Sequence, residues 1–224
     1  KNIQNENENY EYADKFVYNQ VDAIFNILKQ NMFIDEYNTT DKDKPSQYGL
    51  NASYIHEIPP LVFIDFYNHF DKFEPYSEED ILSILCCFYE LKLPDDKKMN
   101  VPKTHKKELT FIKDRMNYYE DIETQHNIYL TCKYKLQYDL MEDINEWYSN
   151  VNNIDECKIF YHSLKTEKDI FIGDFIKCCL KIVNICNELK LLCENDTNYS
   201  FLQKIINIQE KLQKNIVTSK SIYV

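Results

Sequence analysis

The densest apolar pattern in the chain runs from Gly173 to Cys193. On a helical wheel of about 100° per residue, Asp174, Lys177, Lys181, Asn184 and Glu188 share one stripe about 80° wide. Most of the remaining surface is apolar, carried by Phe175, Ile176, Cys178, Cys179, Leu180, Ile182, Val183, Ile185, Cys186, Leu189 and Leu192. An ordinary surface helix has the opposite proportion. The spacing therefore predicts a helix over 174–193 that is nearly surrounded by protein, with one narrow polar slot left open. Charges recur through it too often for a membrane span. The slot has two readings. It is the strip of a buried helix touching water or a few internal partners, or it lines a channel where Lys177, Lys181 and Asn184 offer donors to a polar ligand. Periodicity does not choose between them.

The same reasoning predicts helices on either side. Val17, Val21, Ile24 and Leu28 space one from Ala13 to Ile34, and a short one follows over 50–57. Pro59-Pro60 suits the first turn of a third, whose apolar run includes Leu61, Val62, Phe63, Ile64, Phe66 and Tyr67. After the break at Glu74-Pro75-Tyr76, Ser77-Glu78-Glu79-Asp80 resembles a capping box ahead of Ile81, Leu82, Ile84 and Leu85. Glu108 to Trp147 reads as one long helix or two in succession, and Asn153-Ile154-Asp155-Glu156 as the cap of another. Phe201, Ile205, Ile208 and Leu212 space a last one. Between these, residues 1–12 read as a linker or disordered end, 37–49 as a polar break, and 94–107 as a Lys-rich loop, either solvated or touching phosphate. The β-branched end, Asn215 to Val224, reads as extended. The fold class is all-α, a helical bundle.

Composition narrows this further. The 224 residues include only two glycines and six prolines, too few turn residues for an all-β domain of that size. With 44% hydrophobic residues the chain can bury a substantial core. A net charge of −11 argues against general attraction to nucleic acid, while leaving room for a local basic slot. The eight cysteines show no zinc-site spacing, which points to buried free thiols in a reducing, intracellular setting. No segment has the pattern of a signal peptide or a membrane span. A start at Lys1 rather than Met suggests a trimmed piece of something longer. No phosphate-binding Gly-rich loop and no His-Glu-x-x-His motif occurs. His69, His126 and His162 lie apart from any nucleophile signal. No catalytic constellation and no metal site emerges.

Four blocks, taken in order, resemble the C-terminal helical (DSHCT) domain of DExH-box RNA helicases associated with exosome-type RNA decay. Pro60-Leu61-Val62-Phe63 through Ser83-Ile84-Leu85-Cys86-Cys87-Phe88 resembles the family's "PL-V…L-S-CF" helix pair. Leu140 to Trp147 resembles its "LM-V-Y-W" helix, and Gly173-Asp174-Phe175-Ile176-Lys177 its "GDFVR" block. Asn215 to Val224 resembles its closing "DIVFAASLYL". The resemblance spans residues 50–224, and 13–49 resembles the end of the winged-helix segment that leads into the bundle. It implies a non-catalytic part of an ATP-dependent helicase, with ATP and Mg bound in N-terminal RecA-like motor domains outside this chain. Its expected partners are single-stranded RNA, those motor domains and RNA-decay complex subunits, without a membrane.

In that family the helix opening at the "GDFVR" block is a ratchet helix beside the RNA exit channel. The resemblance thus implies RNA contact by Lys177, Lys181, Asn184, Glu188 and Asp174. Lys177 stands where the family has Arg, Leu180 replaces the first residue of its basic pair, and Ile172 replaces a Glu. Lysine lacks arginine's planar bidentate fork, so contact is expected to be weaker or limited to phosphate. The alternative from the residues alone is a helical protein-interaction module that binds no nucleic acid.

Overall fold

A computed structural model describes residues 2–35, 44–128 and 134–217. Its first helix, α1 (Asn2–Gln30), starts well before the expected Ala13 and runs through the residues whose composition suggested a linker. No glycine or proline interrupts 2–30, so nothing in the backbone stops the helix from propagating. Segment 13–49 continues with a short hairpin, β1 (Ile34–Asp35) antiparallel to β2 (Lys44–Pro45), with Ile34 opposite Pro45. Residues 37–43 of the expected polar break lie outside the described residues. The Ser46 hydroxyl then caps α2 (Gln47–Ala52) by accepting from the Gly49 N–H at 3.1 Å.

The bundle proper starts at α3 (Pro60–His69), with Pro60 in the first turn, where its missing N–H costs nothing. Its aromatic residues continue into a 3-10 turn over Asp71–Phe73, three residues with φ of 48°, 53° and 62°. Such a left-handed run needs outside support. Lys204 supplies it by donating to the carbonyls of Phe73, Glu74 and Tyr76 at 3.1, 2.7 and 2.7 Å. The expected capping box is present on α4 (Glu78–Cys86): Ser77 N–H donates to the Asp80 carboxylate at 2.9 Å, and Asp80 N–H to the Ser77 hydroxyl at 3.1 Å.

Glu108 to Trp147 divides into two helices, α5 (Lys106–Gln125) and α6 (Met141–Asn150). The Asn153 side chain caps α7 (Ile154–Lys168) as its sequence predicts. The long helix α8 (Ile172–Asn195) and α9 (Tyr199–Val217) complete the fold. Asn215 to Val217 are helical rather than extended, and 218–224 lie outside the described residues.

Packing follows from the apolar faces. α3 lies on α5, α4 lies on α6, and α8 touches α9, α4, α7 and α2. Ten α8 side chains are buried, and the six that are Phe, Ile, Val or Leu are worth about 1.5–3 kcal/mol each. On α9 the face Phe201, Ile205, Ile208 and Leu212 is fully enclosed. Two aromatic clusters complete the core. Phe73 stacks on Phe201 at 4.9 Å, and Trp147 lies 5.3 Å from Phe160 and 5.4 Å from Phe175. The architecture is all-α. No described helix is long and apolar enough to cross a membrane.

Candidate functional site

α8 is enclosed on most sides, and its one open strip is rotated from the predicted position. The exposed residues are Lys177, Leu180, Asn184, Asn187, Leu191, Glu194 and Asn195. At about 100° per residue this strip lies about 70° round from the predicted stripe. The row Asp174, Lys181 and Glu188 is half-buried instead. The segment after α2 lies against its Lys181 and Glu188.

Each residue of that row has a partner. Glu188 Oε2 accepts from the main-chain N–H groups of His56 and Glu57, both at 3.0 Å. Lys181 Nζ donates to the Glu57 carboxylate at 2.5 Å and also to the Glu57 carbonyl. Asn184 reaches the other oxygen of the same carboxylate at 3.4 Å. Lys177 sits further along the helix, pairs with Asp174 at 3.1 Å and keeps its side chain 68% exposed. The structure thus brings Lys181, Asn184 and Glu188 together around residues 56–57, while Lys177 and Asp174 form a separate pair nearer the start of α8. Glu57 was not legible as a partner, since it lies 124 residues from Lys181.

A cleft of about 650 Å³ opens where this row meets the end of α4. Ile58, Pro59, Phe88 and Tyr89 form its walls, with Lys181, Lys135 and His56 among its polar lining. Lys135 lies 3.9 Å from Glu90, so the lysines here are opposed by carboxylates. Burial pushes the Tyr89 phenol up to about 12, and the neighbouring Asp174 carboxylate adds to the shift. Tyr89 extends the Cys86-Cys87-Phe88 block, and that aromatic doublet at a helix end was the available signal for it.

The Lys-rich loop is tied down. Lys97 faces Asp169 at 3.6 Å, Lys103 faces Glu142 at 2.7 Å, and Asp139 accepts from the Met99 N–H at 2.7 Å. His69 stacks on Phe111 at 4.3 Å. Among the described residues no group of three His, Cys, Asp or Glu side chains could hold a metal ion. All seven described cysteines are buried and unpaired.

The family model of the DSHCT (NUC185) domain matches residues 66–219. The chain belongs to the DSHCT family. DSHCT domains are helicase C-terminal domains. The matched residues run from the middle of α3 to the end of α9 and include the whole of α8. His56 and Glu57, which hold Lys181 and Glu188, lie before them. No curated protein matches the chain.

Proposed function

We propose that this DSHCT domain is the non-catalytic C-terminal part of an ATP-dependent, DExH-type RNA helicase of the exosome-associated kind, in which α8 guides single-stranded RNA as a ratchet-type helix. The observation that carries the reading is the family match across α8, joined to an open strip on which Lys177, Asn184 and Asn187 offer donors. Burial of the opposite face keeps such a helix stiff while a strand passes. Contacts of this type tolerate any sequence and weaken with salt. ATP and Mg would bind RecA-like domains elsewhere in the parent protein. α1 and the hairpin would belong to a winged-helix unit leading into the bundle, and RNA-decay subunits would be further partners. In the full-length parent, Lys177→Ala/Lys181→Ala should lower RNA-stimulated ATP hydrolysis and unwinding. Unchanged rates would discard the reading.

A second reading, a protein-interaction module without nucleic acid, is favoured by Leu180 and Leu191. They stand 45% and 50% exposed on the same strip. Filter binding of labelled single-stranded RNA to the chain across a salt series separates the two. Salt-sensitive retention supports RNA guidance, and none supports the module.

A further inference from the structure

The cleft beside α8 has the composition of a nucleotide subsite. At about 650 Å³ it falls in the usual range for small-molecule sites. Its walls, Ile58, Pro59, Phe88 and Tyr89, are apolar and partly flat. Its charges are balanced, with Glu57 opposing Lys181 at 2.5 Å and Glu90 opposing Lys135 at 3.9 Å. A cleft so balanced attracts phosphate only if a carboxylate gives way.

Glu57 is placed to do that. Its two carboxylate oxygens accept from Lys181 and Asn184, the arrangement a phosphate's oxygens would use. Glu188 keeps the main chain in place through the N–H groups of His56 and Glu57, so the Glu57 side chain can leave without unseating the segment. Resting on the RNA-guidance reading, we infer that the cleft takes one nucleotide of single-stranded RNA. Its base lies against Tyr89 and its phosphate replaces the Glu57 carboxylate on Lys181 and Asn184. Glu57 then acts as a built-in competitor, and each nucleotide that enters must displace it. Every nucleobase has a face that can stack, so the subsite does not select sequence.

The test is fluorescence anisotropy of labelled single-stranded oligouridylate and oligoadenylate with the whole 224-residue chain. Tyr89→Leu keeps bulk but loses the ring face and should weaken binding about tenfold, while Tyr89→Phe should bind like the parent. Glu57→Gln should tighten binding several-fold, and that gain should vanish in Lys181→Met. Circular dichroism of each variant checks folding. Equal binding by Tyr89→Leu and Tyr89→Phe overturns the subsite. So does a Glu57→Gln gain that persists in Lys181→Met, because it would reflect net charge alone. If the parent binds and Lys177→Ala weakens it while the Tyr89 and Glu57 variants do nothing, RNA guidance stands and the subsite falls. If the parent binds neither oligonucleotide at any salt, both fall.

Discussion

Glu188 holds His56 by its main chain: Oε2 accepts the His56 N–H at 3.0 Å and the Glu57 N–H at the same distance. One carboxylate thus fixes the segment between α2 and α3 against the middle of α8. Two charge-assisted bonds to partly exposed backbone predict that Glu188→Ala costs about 1–2 kcal/mol. Glu188→Gln, which keeps an acceptor, should cost less. Urea denaturation of the three proteins reads the difference, and equal midpoints would show that the segment does not depend on the carboxylate.

The two glycines should respond in opposite directions. A Cβ at Gly49 would meet the Phe33 carbonyl oxygen at 2.1 Å, backbone that cannot swing away. Gly49→Ala should therefore destabilise by about 1–3 kcal/mol. A Cβ at Gly173, in the first turn of α8, meets nothing within 4 Å. Gly173→Ala should stabilise by about 0.5–1 kcal/mol, and thermal melts of both variants check the signs.

Glu78 links acid stability to the junction of α4, α6 and α9. Burial alone would raise its carboxyl, but donors on Tyr148, Asn207 and Lys211 outweigh that and hold it below its ordinary value. A depressed folded-state value means the stabilisation is present above the unfolded carboxylate range, about pH 4.3, and is lost as pH falls through the folded value. Tyr148→Phe removes one donor. Stability curves between neutral and acid pH should show a smaller loss on the acid side for this variant than for the parent.

The thiols act at the other end of the scale. Burial pushes Cys186 and Cys193 up to about 12. A raised folded-state value leaves stability complete below the unfolded thiol range, about pH 8.5, and erodes it as pH climbs toward 12. Cys186→Ala should flatten that alkaline decline. A thiol reagent at neutral pH should leave the seven described cysteines unmodified until denaturant is added, and rapid labelling at any of those seven in the native chain, located by peptide mapping, would contradict their burial.

Much of the fold was legible because helical spacing records burial directly. α8 was predicted over 174–193 and spans Ile172–Asn195, since its apolar residues leave few ways to satisfy them. Ser77 and Asn153 announced their helix starts by local chemistry alone. The length of α1 was obscured because Asn- and Glu-rich composition resembles a linker even where no residue breaks a helix. The open strip on α8 was misplaced for a different reason. A wheel separates polar from apolar positions, but Glu188 and Lys181 face a distant backbone segment that satisfies them. Whether a polar side chain looks at water or at residues 56–57 depends on the tertiary fold, which spacing does not encode.

Arg115 carries one last consequence. The chain's single guanidinium is taken up by Asp65, at 2.5 Å, and lies over the Tyr118 ring at 4.3 Å. Every other fixed cation is an ammonium, a rounded charge with no preferred plane. Under the proposed RNA-guidance reading, the charged contacts to a passing strand's phosphates would come from such points alone, which hold no fixed plane and release readily.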